Sequence, residues 1–162
     1  MVNKYNKINL GSGRLNNFGW CNIDITQYTD KKGKDKVDIV MDVEKEKLPF
    51  EDNSIEKIQA DNVFEHLGEG FIFALNECYR VLKKNGVLRG IVPMAGTPVD
   101  FMDITHKRHF IIESFNYICG KNLAMINRPS HPRYADYGVL PWNKVDLLLE
   151  DDLIHFKLTP RK

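Results

Sequence analysis

The sequence predicts an α/β fold built on a mostly parallel sheet, and three features carry that reading. Short runs rich in Val, Ile and Leu recur between Lys7 and Val92. Each run closes on Gly, Asp, Asn or Pro, as buried strands do. Between the fourth and fifth runs the apolar residues switch to helical spacing. The chain has 162 residues and a hydrophobic fraction of 43%. That is enough for a real core, and a single domain over residues 1–162 is expected.

The elements follow in order. Lys7 to Leu10 is the first strand, ending in Gly11-Ser12-Gly13. Cys21 to Ile25 is the second, with Asp24 at its end, and Val37 to Met41 is the third, closed by Asp42. Ile55 to Ala60 is the fourth, followed by Asp61 and Asn62. Gly86 to Val92 is the fifth, stopped by Pro93. A helix is predicted from about Gly70 to Lys84, because Phe71, Leu75, Cys78, Tyr79 and Leu82 share one face. Lys83 and Lys84 suit its negative end, and Gly86 sits just past the last turn. A second helix is predicted over Ile112 to Cys119. Leu147–Leu149 and Leu153–Leu158 flank Glu150-Asp151-Asp152 and read as an antiparallel hairpin. Asn127 to Trp142, with three prolines and no period, reads as a loop.

Bulk properties exclude several classes. No apolar run approaches the roughly eighteen residues that span a bilayer. The opening MVNKYNKINL lacks the apolar stretch of an export signal, so a cytoplasmic protein is expected. Net charge is +1, from 23 basic and 22 acidic residues, which disfavours a nucleic-acid partner held by a large electrostatic footprint. Cys21, Cys78 and Cys119 are far apart and read as small core residues. No cluster has the spacing of a structural zinc site, and no metal is expected.

Strand, glycine turn, then a strand ending in an acid is how α/β folds hold nucleoside cofactors. Three successive strands deliver Gly11 and Gly13, Asp24, and Asp42 to one rim of the sheet. A carboxylate at Asp24 can accept both hydroxyls of a ribose. A full GxGxxG is absent, since the turn reads Gly11-Ser12-Gly13-Arg14-Leu15-Asn16. Seven residues separate Gly13 from Cys21, too few for a crossover helix with its loops. No helix amino terminus is then available for a pyrophosphate. The site suits a cofactor with a ribose and a base but no phosphate, which argues against a dinucleotide-dependent dehydrogenase.

Several segments together carry a resemblance over most of the chain. They are Ile8–Gly13, Gly19–Ile25, Val37–Asp42, Leu48–Ser54, Phe64-Glu65-His66-Leu67, Glu77–Leu88, Asp103–Phe110 and Leu153–Pro160. In this order they resemble the class I S-adenosylmethionine-dependent methyltransferases, in particular a small subgroup with a shortened first crossover. The resemblance implies a Rossmann-like, mostly parallel sheet with an antiparallel C-terminal hairpin and no helix between the first two strands. It implies S-adenosyl-L-methionine as cofactor. The backbone at Gly11, Ser12 and Gly13 would lie along its methionine part and Asp24 would hold the ribose. Asp42 and Val43 would flank the adenine, and Asp61 and Asn62 would line the methionine side.

The acceptor is open: a hydroxyl of a sugar or small metabolite, another small molecule or glycan, or nucleic acid. A catalytically silent interaction module is the alternative from another class. A hydroxyl acceptor wants a base, and His66, His106 and His109, with Asp103, are the candidates. Glu65 reads as solvent-facing or capping, and Arg108 as a partner for an anionic substrate or a salt bridge ordering its loop. The missing crossover helix leaves part of a sheet face to be covered. A second copy of the chain, giving a homodimer, or the residues around Tyr5 are the two candidates.

Overall fold

The computed structural model describes residues 4–120 and 134–162. Its sheet has seven strands in the order β3-β2-β1-β4-β5-β7-β6. The strands are β1 (Lys7–Leu10), β2 (Cys21–Asp24), β3 (Ile39–Val40), β4 (Ile55–Asp61), β5 (Leu82–Pro93), β6 (Trp142–Glu150) and β7 (Leu153–Pro160). β1 to β5 run parallel. β7 pairs antiparallel with β5 on one side and β6 on the other. The helices are α1 (Phe71–Val81), α2 (Pro98–Met102) and α3 (Ile112–Ile118). The predicted sheet is therefore present, with its antiparallel hairpin and with no helix between β1 and β2.

The order reverses beside β1: β2 and β3 lie to one side, β4 and β5 to the other. Open α/β sheets bind ligands at such a point, outside the carboxyl ends of the strands. The strands there are short, with Ile8, Cys21, Ile23, Ile55 and Ile58 all at zero exposure and two polar residues, Asn9 and Asn22, buried among them.

A polar network takes the place of the missing helix. Asn9 and Asn22 are buried neighbours on β1 and β2, and the Asn9 amide donates to Asn22 Oδ1 at 3.1 Å. Asn22 Oδ1 also accepts from the Asn17 N–H at 2.9 Å. Its amide group donates to the Asn17 and Trp20 carbonyls and to Asp38 Oδ2. Asn9 reaches the Leu15 carbonyl. Two side chains thus satisfy backbone groups that a helix would satisfy internally. The connection leaves Phe18 fully exposed and Leu15 largely so. Tyr5 packs on the core and donates to Asp38 at 3.1 Å, as one of its two expected covers.

Two predicted boundaries move. The helix predicted to Lys84 ends at Val81, and Leu82 already has extended backbone, with φ −66° and ψ 138°. Leu82 pairs with Ile55, so strand pairing takes over from helix propensity. Lys83, Lys84 and Gly86 lie in β5, and Gly86 is not a helix cap: a Cβ there would press on the Lys83 and Ile55 carbonyls. The loop predicted over Asn127 to Trp142 falls largely outside the described residues. Its described part holds a 3-10 turn at Tyr134–Tyr137, and Trp142 opens β6, which extends well before the predicted Leu147.

Candidate functional site

A cavity of about 440 Å3 opens at the switch point. Gly11 and Gly13 line it after β1, Asp24 at the end of β2, Asp42 and Val43 after β3, and Asn62 and His66 after β4. Four of the strands in the parallel half therefore feed one pocket. Glu44, Tyr28 and Lys107 also line it.

Local chemistry fixes each wall. Gly11 and Gly13 have φ of +62° and +53°, the left-handed region that favours glycine. Their surroundings differ. A Cβ on Gly11 would fall 2.3 Å from Val63 Cγ2, whereas a Cβ on Gly13 would meet nothing within 4 Å. Gly13 faces open space; Gly11 is packed. Asp24 accepts from the Gly13 N–H at 2.8 Å and from the Thr26 N–H at 2.9 Å. Each carboxylate oxygen keeps a lone pair for a ligand. Asp42 is held by the Lys45 ammonium at 2.7 Å and the Glu44 N–H at 3.0 Å, and these donors keep its carboxyl below the usual range. Glu44 then crosses to the start of α1, accepting from Gly68 and Gly70 N–H. Gly70 has to be glycine there, because a Cβ would strike the Glu44 backbone.

Two of the predicted cofactor residues are not brought to this cavity. Ser12 is buried, with its Oγ unpartnered among the described residues, and its N–H donates to the Ile23 carbonyl. Asp61 accepts from Gln59 and lines a separate depression with Arg89, Asp146 and His155. The reason is the strand alternation: Asn62, with φ +53°, turns the chain so that Asn62 and Asp61 leave β4 on different sides.

Beyond β4 the chain forms a 3-10 turn, Phe64–His66. Phe64 anchors it against Phe71 of α1 and Phe156 of β7. Phe156 stacks on Phe115 of α3, which stacks on Phe110. This aromatic chain draws the Asp103–Phe110 segment over the turn. The Lys107 and Arg108 N–H groups then donate to the Glu65 carbonyl at 2.8 and 3.0 Å.

His66 and His106 meet there, with ring centroids 4.9 Å apart. His106 Nδ1 is 2.7 Å from the Asp100 carbonyl, which can only accept, so Nδ1 carries the proton. Thr105 Oγ1 donates its one proton to Asp103 Oδ1 at 2.7 Å. It must therefore accept from His66 Nδ1, at 3.0 Å. Both histidines are fixed with Nδ1 as donor, leaving Nε2 with a lone pair in the neutral ring. Thr105 thus links Asp103 to His66, and His106 Nε2 lies 3.9 Å from Asp103 Oδ2. His109 does not join the pair: its Nδ1 sits 2.9 Å from both oxygens of Asp100.

Glu65 corrects the sequence reading. It is 1% exposed, neither solvent-facing nor a cap, and neither carboxylate oxygen has a partner from another described residue. Burial pushes its carboxyl up to about 7. For Arg108 the structure bears only on the salt-bridge reading. Its guanidinium makes no ion pair among the described residues; it stacks on Phe71 at 4.5 Å and donates to the Gly68 carbonyl at 2.8 Å.

This sheet order, with the cavity at its switch point, is the fold of the class I S-adenosylmethionine-dependent methyltransferases. Residues 14–89 match the methyltransferase domain family. Solved structures of similar fold include a chain from the complex of the Trm112 methyltransferase activator with a methyltransferase from Haloferax volcanii (13% identity, TM-score 0.63, 98% of this chain and 84% of that one). Another is the Burkholderia thailandensis 1,6-didemethyltoxoflavin-N1-methyltransferase with bound 1,6-didemethyltoxoflavin and S-adenosylhomocysteine (11%, 0.62, 96% and 71%). A third is a SAM-dependent methyltransferase from Archaeoglobus fulgidus (15%, 0.60, 96% and 86%). Among curated proteins no relative matches. Among the described residues no helix is long and apolar enough to cross a membrane.

Proposed function

We propose that this chain is an S-adenosyl-L-methionine-dependent methyltransferase acting on a small molecule or glycan, with a hydroxyl as acceptor. The observation that carries the reading is the cavity at the switch point, with Asp24 on one wall and Gly13 open to its interior. Its volume lies within the range of small-molecule sites, roughly 300–1,000 Å3. The residues fit the cofactor. Asp24 would hold the ribose hydroxyls with the lone pairs its backbone donors leave. Asp42 and Val43 would flank the adenine, and Gly11, Gly13 and Asn62 would border the methionine part. When bound, the cofactor supplies a methyl already activated by its sulfonium charge.

The protein's own task is alignment and, for a hydroxyl, removal of a proton. His66 lines the cavity and would take that proton on Nε2, since Thr105 and Asp103 hold Nδ1 as a donor. His106 packs against His66 and limits its rotation. His109 would order α2 and its loop through Asp100 and has no direct part in the chemistry. Exposed Phe101, Met102 and Ile104 give the neighbouring surface an apolar lip.

Calorimetric titration tests the cofactor. S-adenosylmethionine and S-adenosylhomocysteine are expected to bind at one site per chain without competition from NAD. NAD binding with no S-adenosylmethionine binding would overturn the reading.

A further inference from the structure

In the sequence only Asp103-x-x-His106-x-x-His109 has a spacing that could ligate a metal, yet the fold gathers a different set, bringing His106 to the adjacent pair Glu65-His66 some forty residues earlier. One ligand atom from each of Glu65, His66 and His106 lies within 4.8 Å of the other two. An ion with bonds of about 2.0–2.1 Å keeps its ligands about 3–4 Å apart, so the widest gap has to close by about an ångström. Closing it calls for a small adjustment of the Glu65 side chain toward the two rings, whose Nδ1–H bonds can stay in place.

Three independent features mark this cluster as a site. Glu65 is buried with both oxygens unpartnered among the described residues, and a buried carboxylate needs a cation or a donor. The His106 and His66 Nδ1–H groups are spent on the Asp100 carbonyl and the Thr105 hydroxyl. Metal-ligating histidines show this arrangement, with one nitrogen tied to an oxygen acceptor and the other presented to the ion. The carboxylate of Asp103 stands 3.9 Å from His106 Nε2, adding negative charge at the edge.

We propose that Glu65, His66 and His106 bind one first-row divalent transition-metal ion, with zinc as the best fit. Two imidazoles and one carboxylate form a ligand set known for zinc, with a fourth position left open. Imidazole disfavours magnesium and calcium, which take oxygen ligands. The open position would face the acceptor side of the cavity, because His66 lines both. The ion's role rests on the methyl-transfer reading: it would hold the acceptor hydroxyl and lower its pKa so that the proton leaves to solvent water, in place of transfer to His66. Its binding does not rest on that reading.

The test is calorimetric titration of chelator-treated protein with zinc chloride, in the absence of S-adenosylmethionine, with cobalt(II) as a spectroscopic probe. One zinc per chain is expected, and cobalt should show visible bands of a nitrogen-ligated, low-coordinate ion. Glu65→Gln and His106→Asn should each weaken zinc by at least about tenfold, the size of loss that even an outer partner of a ligand produces. His155→Asn, on β7, should not change it. Wild-type protein that binds no zinc would overturn the proposal. So would folded Glu65→Gln and His106→Asn proteins, checked by circular dichroism, that bind zinc as wild type does. If the variants unfold, the cobalt spectrum of the wild type decides alone: its bands support the site and their absence overturns it. A separate S-adenosylmethionine titration keeps the two readings apart, since zinc binding without cofactor binding sinks only the methyltransferase assignment.

Discussion

Asp24→Ala separates a cofactor ligand from a strand-end cap. Asp24 accepts from the Gly13 and Thr26 N–H groups at 2.8 and 2.9 Å, so it organises the glycine turn as well as facing the cavity. A hydrogen bond to a charged group contributes about 1.5–3 kcal/mol, and a partly exposed one falls at the low end. Removing both backbone bonds should therefore lower unfolding stability by about 1–3 kcal/mol. Losing the ribose contacts should cost a further 1.5–3 kcal/mol in binding, or roughly ten- to a hundredfold in Kd. Asp24→Asn keeps one acceptor oxygen and should fall between wild type and Ala on both measures.

The assay pairs thermal unfolding without ligand with calorimetric titration of S-adenosylhomocysteine on the same protein. Folded Asp24→Ala protein whose Kd stays within about twofold of wild type would refute ribose binding at β2, whatever its midpoint. A large drop in midpoint with unchanged affinity would make Asp24 a turn organiser only.

Gly13→Ala and Gly11→Ala should part company. Both pay for positive φ, but only the Gly11 variant drives a Cβ into Val63, so it should lose more stability by denaturant titration, while Gly13→Ala should mainly weaken cofactor binding. Arg80 binds Glu77, Asp52 and the Leu48 and Phe50 carbonyls, and Arg80→Met leaves Glu77 buried without its cation. That should cost about 3 kcal/mol, or roughly 6–12 °C in Tm, with partial recovery in Arg80→Met/Glu77→Met. Burial raises the Asp38 carboxyl, but Asn22 and Tyr5 donate to it and leave it below its ordinary value. Its contribution is thus present above the unfolded value of about 3.8 and lost as pH falls further, so Asp38→Asn should flatten the acid loss of Tm. If the face left by the missing crossover helix is covered by a second copy, the chain should sediment as a dimer at micromolar concentration and Phe18→Asp as a monomer; a wild-type monomer at every concentration rules that out.

Much of the fold was legible because it is written in local patterns. Ile8–Leu10, Cys21–Ile23 and Ile55–Ala60 are short segments in which apolar residues recur between polar ones and end on Gly or an acid, a pattern that reads as strand. The alternation along Leu153–Leu158 was equally direct, with Ile154, Phe156 and Leu158 buried and the residues between them more exposed. The end of α1 was not legible. Leu82 is as good a helix residue as any, and what ends the helix there is its pairing with Ile55, 27 residues upstream in sequence and invisible to a local period. The replacement of the crossover helix by the Asn9–Asn22 network was hidden for the same reason. The short spacing from Gly13 to Cys21 says that a helix is missing, but not which side chains satisfy the loop's backbone.

The candidate site divides along the same line. Gly13, Asp24, Asp42 and Asn62 sit at strand ends, so topology alone brings them to one rim. Glu65 could not be placed that way. In Phe64-Glu65-His66 a helical or extended reading puts the glutamate outward, beside water, as its charge suggests. The 3-10 turn instead buries Phe64 and Glu65 together and leaves His66 on the cavity wall. What fixes that turn is the aromatic chain through Phe71, Phe156, Phe115 and Phe110, contributed by four separate parts of the sequence. The same packing lowers Asp103–Phe110 onto the turn and sets His106 against His66. Apolar contacts thus hold a carboxylate in a place where, alone, it would be costly to keep charged. A fold has no packing reason to bury Glu65 there: a glutamine or a methionine of similar size would fill the space without the penalty. The cost makes sense where the carboxylate has a task, and the two imidazoles facing it with Nε2 unspent are the groups with which it can share one.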